Sequence, residues 1–254
     1  MYFVSKIALK KSYIVNMNII ITGASRGLGK AIAEKFAANG YHLYLTSRNE
    51  IALYKAMEEL QTKYPAIAIK AKAFDLSIKS EARAFGQWIL GLGISIDILV
   101  NNAGNFLQGN IYDEEDNVLE KMIEVNLYSA YHLTRTLLPK MMQQDISSGL
   151  RGHIFNMCSI ASLQAYRNGG SYSISKFALA GFSKNLREEM KQHLIKVTAV
   201  YPGAAYTDSW IGSGIDEKRI MEAGDIACMI YAASQLSPQA TVEEIILRPQ
   251  LGDL

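Results

Sequence analysis

IIITGASRGLGKAIA, residues 19 to 33, decides the fold. It begins within a β-branched apolar run, NIII from 18 to 21, that reads as a buried strand. It ends in a helix: over residues 27 to 39, Leu28, Ile32 and Phe36 share one face, and Gly40 ends the segment. Gly23, Gly27 and Gly29 fall at the turn and the first helical residues. Glycine permits positive φ there and lets backbone N–H groups approach a pyrophosphate, while the helix N-terminus adds partial positive charge. The candidate phosphate cradle is therefore Gly23, Ser25, Arg26, Gly27, Leu28 and Gly29. The spacing is GxxxGxG rather than GxGxxG, and no Gly-Lys-Ser/Thr is present, which argues against phosphoryl transfer. A glycine-rich turn without a ligand is the alternative; a place between the first strand and first helix of an alternating chain argues against it.

The alternation continues along the chain. YHLYLT (41 to 46) reads as a strand and IALYKAMEELQTKY as a helix stopped by Pro65. AIAIKAKAF (66 to 74) alternates as a strand, EARAFGQWILGL is helical, and IDILVNNAG (96 to 104) is a strand ending in a loop. A long helical stretch covers about 114 to 144. HIFNMCS (153 to 159) is a fifth strand, 172 to 193 a helix, KVTAVYPG (196 to 203) a sixth strand, and VEEIILR (242 to 248) a candidate seventh. This pattern predicts an α/β fold: a doubly wound, Rossmann-type parallel sheet with helices on both faces, in a single domain. An eight-stranded barrel needs one more βα unit than the chain offers. The domain is expected over 17 to 254, with residues 1 to 16 an N-terminal extension or early start; an added strand or helix is the alternative. Lys6 interrupts the apolar stretch there and no small-residue cleavage site follows, so a signal peptide is not expected.

With 49% hydrophobic and 20% charged residues, the composition is that of an ordinary globular chain. A net charge of +2 gives no reason to invoke nucleic acid. The two cysteines form no CxxC and the four histidines no HExxH, so no metal site or disulfide scaffold is expected, and a reducing, cytoplasmic setting is. No apolar run reaches the roughly 18 residues of a membrane span.

The end of strand two selects the cofactor. A site for NAD usually offers a carboxylate there to the ribose hydroxyls. Here the residues are Leu45-Thr46-Ser47-Arg48-Asn49. Arg48, with Arg26 in the glycine loop, suits a 2′-phosphate, so NADP (NADPH) is expected over NAD. Two solvated surface arginines are the alternative.

SYSISK (171 to 176) places Tyr172 and Lys176 one turn apart on one helix face. Tyr2 and Lys6 share that spacing but lie in the extension. An ammonium favours the phenolate: a charge pair at about 4 Å, with an effective dielectric near 20, is worth roughly 4 kcal/mol, or about three pKa units. That predicts a phenol acidified toward neutrality and suited to proton transfer. Lys176 has further donors for ribose hydroxyls. Ser159, at the end of strand five, can donate to the same substrate oxygen as Tyr172. No GxSxG surrounds it, so an acyl nucleophile is a poor reading.

TGASRGLG (22 to 29), NNAG (101 to 104), Asn126, Ser159, Tyr172-xxx-Lys176, and Pro202-Gly203 followed by Thr207 stand in the order and spacing of the short-chain dehydrogenase/reductase family. The chain resembles that family, in its NADP-preferring type, from about Met17 to Thr207. The resemblance implies hydride transfer between a nicotinamide and a carbonyl or alcohol substrate, with Asn126, Ser159, Tyr172 and Lys176 catalytic. It implies that Asn126 holds a water linking Lys176 to solvent; an asparagine that packs helices is the alternative. Asn102, Ala103 and Gly104 border the adenine ribose and nicotinamide side on this resemblance. On the same resemblance Asp75 and Leu76 are expected to contact the adenine, although a helix N-cap also explains Asp75. Pro202 and Gly203 turn the chain after strand six, and the resemblance implies that Thr207 bonds the carboxamide, a plain loop threonine being its alternative. The resemblance also implies a homotetramer or dimer through the helices around 114 to 144 and 172 to 193.

Substrate-pocket candidates on the loops are Phe106, Tyr166, Tyr206 and Trp210, with Leu107, Gln164 and Arg167 nearby. They suggest a small or medium apolar carbonyl compound. A dinucleotide-binding sensor or scaffold that lost turnover is the competing class; the intact Asn–Ser–Tyr–Lys set argues against it.

Overall fold

Ile19, Ile20 and Ile21 are all fully buried, because strand β1 (Asn18–Thr22) lies inside a sheet covered on both faces. The computed structural model describes residues 17–146, 149–207, 210, 212 and 214–253; the expected extension over residues 1–16, with Tyr2 and Lys6, lies outside the described residues. From β1 the chain runs through α1 (Gly27–Ala37), β2 (His42–Thr46), α2 (Glu50–Lys63), β3 (Ile69–Ala71) and α3 (Lys79–Gly91). It continues through β4 (Ile98–Asn101), α4 (Val118–Ile123), α5 (Ser129–Gln143), β5 (Gly152–Met157) and α6 (Gly170–Met190). β6 (Ile195–Pro202) is followed by a short parallel pair, β7 (Ala205–Tyr206) with β8 (Met221–Glu222), then α7 (Ala223–Ser234) and β9 (Glu244–Leu247).

The main sheet has the order β3-β2-β1-β4-β5-β6-β9, with every pairing parallel. It is an open, doubly wound sheet with edges at β3 and β9, so the barrel alternative does not apply. Because strand side chains alternate, Ile19, Ile21, Leu43 and Leu45 pack on one side with Ile32 and Phe36 of α1 and Ile226 and Ile230 of α7. Ile20, Tyr44 and Leu99 pack on the other with Phe85, Leu133, Leu137 and Leu186 from α3, α5 and α6. Each such side chain stabilises the fold by about 1.5–3 kcal/mol. The chain leaves β1 toward β2 on one side and β4 lies on the other, which opens a crevice at the carboxyl ends of these strands.

Three elements differ from the sequence expectation. The long stretch at 114 to 144 starts later, at α4, after Asn117 takes a left-handed conformation (φ 68°). A single π-helical turn, Glu124–Tyr128, then joins α4 to α5. The strand expected over 66 to 74 shrinks to three residues, because β3 is an edge strand paired on one side. Helix α7 has no clear mark in the sequence: its alanine-rich apolar positions give little amphipathic contrast, and its start signal, Glu222 with Asp225 in a capping box, lies after a long loop. Among the described residues no helix is long and apolar enough to cross a membrane.

Candidate active site

The glycine loop is held against the loop after β4 by Thr22 and Asn102. Asn102 N and Ala103 N donate to Thr22 Oγ1 at 2.9 and 2.8 Å. Asn102 Nδ2 donates to the carbonyls of Thr22 (2.9 Å) and Gly23 (3.1 Å). Gly23 has φ +64°, and a Cβ there would sit 2.9 Å from Asn102 Nδ2 and 3.1 Å from Ala103 Cα. A Cβ on Gly27 would meet Thr207 Cγ2 at 3.3 Å, so the segment after β6 borders the same loop. Ala24 N donates to the Thr46 carbonyl (3.1 Å), which ties the loop to the end of β2. Thr22 was legible only as part of TGASRGLG, where it reads as a strand residue.

The cradle thus has the bare backbone a dinucleotide pyrophosphate needs, and two exposed guanidinium groups beside it. Arg26 is exposed at the N-cap of α1, in extended backbone, with no carboxylate partner among the described residues. Arg48 is 70% exposed, and its Nη1 lies 3.9 Å from Asp75 Oδ2, a weak surface pair. Ser25 is partly buried, and the Leu28 side chain packs against the core. Asp75 is not the N-cap of α3, a place Ile78 holds. Its carboxylate receives the Ser77 N–H (3.1 Å) and hydroxyl (2.7 Å), while Leu76 is buried in the core below.

Ser159 follows β5 at the start of a 3₁₀ turn, Ile160–Ser162. Its Oγ accepts the Ala161 N–H (3.1 Å), and its own N–H donates to Ser162 Oγ (3.2 Å). The hydroxyl hydrogen stays available to a further partner. Tyr172 is the third residue of α6, and its hydroxyl lies beside the Ser159 side chain. Lys176 is buried, donates to the Met157 carbonyl (2.8 Å) and lies 5.8 Å from the centre of the Tyr172 ring. A Cβ on Gly104 would meet Asn126 Oδ1 at 2.8 Å and Lys176 Nζ at 3.5 Å, so the bare Gly104 keeps the approach to the ammonium clear.

The expectation of an acidified phenol is corrected. Burial pushes the Tyr172 hydroxyl up from its ordinary value; the Ser159 hydrogen bond opposes this and Cys158 adds to it. Burial pulls Lys176 down to about 8, with Cys158 acting the other way. The ammonium points at the Met157 carbonyl instead of the phenolic oxygen, so desolvation dominates both groups.

Asn126 sits fully buried in the π turn. Its Oδ1 accepts the Asn105 N–H (2.8 Å), and its Nδ2 donates to the Asn105 carbonyl (3.0 Å) and to Ser175 Oγ (2.9 Å). Ser175 in turn donates to the Tyr172 carbonyl (2.7 Å). The π turn therefore braces the loop after β4 against α6, a common use of such bulges at functional sites. Ser175, inside SYSISK, is marked in the sequence only by its serine type beside Lys176.

Of the pocket candidates, Phe106 reaches Tyr172, with ring centres 4.8 Å apart at 85°. Tyr166 is drawn to the C-terminal segment: its hydroxyl donates to Asp253 (2.7 Å) and receives Gln164 (2.6 Å) and Arg248 (3.2 Å). Tyr206 lies in β7, and Trp210 N donates to the Thr207 carbonyl (2.9 Å). Pro202 pairs with Leu247, and Gly203 N donates to the Leu247 carbonyl (2.8 Å), so β9 fixes the turn after β6.

Cys158 is buried beside these groups, and burial pushes its thiol up to about 11. Cys228 is exposed. A thiol reagent at neutral pH is expected to titrate Cys228 quickly and Cys158 only after unfolding. Equal reaction of both thiols in the folded protein would contradict this packing.

The chain as a whole is similar to known proteins. The sequence profile described as short chain dehydrogenase matches residues 17–218. The sepiapterin reductase of Chlorobaculum tepidum is 33% identical over 245 residues, covering 93% of this chain and 97% of that one. The L-sorbose reductase of Gluconobacter frateurii, solved with NADPH and L-sorbose, superposes with a TM-score of 0.83 at 27% identity, over 93% of this chain and 96% of that one. A metagenomic short-chain oxidoreductase in complex with NADP superposes with a TM-score of 0.78 at 30% identity, over 94% and 99% of the two chains.

Proposed function

The chain belongs to the short-chain dehydrogenase/reductase family of oxidoreductases, and from that membership we propose an NADP(H)-dependent enzyme that interconverts a carbonyl compound and its alcohol, with Tyr172 as proton donor and acceptor. The observation that carries this reading is the meeting of the Tyr172 phenol, the Ser159 hydroxyl and the buried Lys176 ammonium beside the glycine cradle.

Gly23, Ser25, Arg26, Gly27, Leu28 and Gly29 would hold the pyrophosphate, with Arg26 and Arg48 on the 2′-phosphate. Asp75 and Leu76 would border the adenine. Asn102, Ala103 and Gly104 would line the ribose and nicotinamide side, with Pro202, Gly203 and Thr207 across from them. When bound, the nicotinamide supplies or accepts the hydride.

In reduction, charge grows on the substrate oxygen. Ser159 donates a hydrogen bond to that oxygen: its Oγ accepts Ala161 N, and its hydroxyl hydrogen, on the Tyr172 side, can turn to the substrate. Tyr172 delivers the proton. Its raised pKa keeps it protonated at neutral pH, the form reduction requires. Lys176 holds positive charge below the ring and keeps further N–H donors for ribose hydroxyls and for proton return to Tyr172. Asn126 fixes the loop and α6 around it. Phe106 supplies an apolar wall at the tyrosine, which favours a compact apolar carbonyl compound.

NADP over NAD rests on Arg26 and Arg48 and on the absence of an acid among the last residues of β2, and the NADP and NADPH complexes of the two solved relatives support it. Arg48→Ala is expected to raise the KM for NADPH by about tenfold and to leave that for NADH nearly unchanged, a charge-assisted hydrogen bond being worth about 1.5–3 kcal/mol. Steady-state kinetics with both cofactors decide it: an equal rise in the two KM values removes the 2′-phosphate role. A screen of carbonyl compounds following NADPH absorbance, with NADH in parallel, tests the function as a whole. Absence of turnover with any ketone or aldehyde would favour the sensor class. Tyr128, Ile174 and Phe177 leave apolar surface on the π turn and α6, the faces through which a homo-oligomer would form. Cys158 and Cys228 are both unpaired with another cysteine, which suits the cytoplasmic setting proposed here.

A further inference from the structure

The loop from 105 to 114, between β4 and α4, is fastened at both ends. At its start, Asn105 exchanges two hydrogen bonds with Asn126. At its far end, the Glu114 carboxylate receives the Ser171 backbone N–H (2.9 Å) and the Ser171 hydroxyl. Ser171 is the second residue of α6, one before Tyr172. The first N–H groups of a helix have no partner within it, and the helix dipole favours an anion there. Glu114 therefore caps the helix from another segment.

The surrounding glycines show how closely the loop docks. A Cβ on Gly170 would overlap the Glu114 carboxylate and come within 2.7 Å of the Gly109 carbonyl oxygen. A Cβ on Gly109 would fall 2.6 Å from Glu114 Cγ. Gly109 N donates to the Asn168 carbonyl (3.1 Å), and Gly109 pairs with Gly169 as an isolated parallel bridge. Between the two fastenings Phe106 lies edge-on to the Tyr172 ring. The loop has little apolar burial of its own to hold it: Phe106, Ile111 and Tyr112 are 56%, 74% and 86% exposed. Polar contacts to α6 and the π turn do that work instead.

We propose that Glu114 is a positioning residue for the reaction: its carboxylate clasps the 105–114 loop to the first turn of α6 and so sets Phe106 against Tyr172 and the phenol toward Ser159. The inference rests on Tyr172 being the proton donor. Glu114 touches neither substrate nor cofactor in this reading; it acts through Ser171 and the glycines.

The test compares the full-length wild type with Glu114→Ala and Glu114→Gln, in the presence of NADPH. Two readouts are taken: chymotrypsin cleavage after Tyr112, and the split between kcat and the NADPH Kd. Glu114→Ala is expected to speed cleavage by about tenfold, because two hydrogen bonds to a carboxylate are lost. It is expected to lower kcat by roughly 10- to 100-fold, as a misplacement near 1 Å does, with the NADPH Kd within about twofold. Glu114→Gln keeps an acceptor for the Ser171 N–H and is expected to recover most of both. Wild-type kcat in Glu114→Ala, or a loss that Glu114→Gln does not recover, overturns the proposal. Should Glu114→Ala not fold, Ser171→Ala removes the hydroxyl half of the clasp and is expected to lower kcat by a smaller factor; no change there overturns it equally. Cleavage after Tyr112 reads the clasp without any turnover. An unchanged cleavage rate therefore sinks the clasp, whereas a wild type inert to every carbonyl compound sinks the proton-donor reading.

Discussion

Tyr172→Phe is expected to lower kcat for carbonyl reduction by about 10²- to 10⁴-fold, the usual contribution of a positioned proton donor, and to leave the NADPH Kd within about twofold. The substitution removes one oxygen and keeps the ring. The edge-on contact with Phe106 and the placement of α6 need only the ring, so packing survives. What disappears is the hydroxyl beside the Ser159 side chain, the proposed proton source. Pre-steady-state reduction, with cofactor affinity read from NADPH fluorescence, separates the two quantities. Near-normal turnover in the variant would mean that another group delivers the proton. A parallel loss of cofactor affinity would mean that the phenol serves binding instead.

Gly29→Ala is the second substitution with a large expected effect, and it acts on the cradle. Gly29 does not need positive φ; it needs space. A Cβ there would fall well inside contact distance of the Gly23 carbonyl oxygen and 2.6 Å from Asn102 Nδ2. Neither neighbour can move aside easily. The first is backbone in a turn, and the second already donates to two carbonyls that hold the loops together. Forced overpacking of this kind costs about 1–3 kcal/mol. A loop shifted to relieve the clash no longer presents its bare backbone in place, and NADPH binding is expected to weaken by about tenfold, or about 1.4 kcal/mol. Thermal unfolding is expected to come earlier by about 2–4 °C per kcal/mol for a chain of this size class. Gly91→Ala is the matched control: it ends α3 and nothing lies within 4 Å of its added Cβ. It should leave both measurements near wild type. A Gly29→Ala protein that binds NADPH as tightly as wild type would show that the glycine loop does not approach the pyrophosphate.

The order of elements was legible because each carried a local signature. Apolar β-branched runs of four to six residues mark strands buried on both faces, as in NIII and HIFNM. The glycines of TGASRGLG mark a turn where the backbone must stand bare. Tyr172, Lys176 and Ser159 were identifiable from residue type and spacing, and their meeting followed from the expected ends of β5 and α6. Helix α7 was not legible, since its stability comes from packing on α1 and the β1 side of the sheet and little from its own periodicity. The π turn at Glu124–Tyr128 carries no signature in a pattern read at 3.6 residues per turn, yet it puts Asn126 against Asn105 and Ser175.

Chain chemistry alone therefore settled the parallel α/β architecture, the bare glycine turn and the presence of a hydroxyl–phenol–ammonium set. These depend on covalent features of single residues and on short-range periodicity. The sign of the Tyr172 shift, the turn of Lys176 toward the Met157 carbonyl, and the diversion of Tyr166 to Asp253 emerged from three-dimensional packing. Desolvation and hydrogen-bond partner choice depend on what surrounds a group from distant parts of the chain, and no local spacing carries that information.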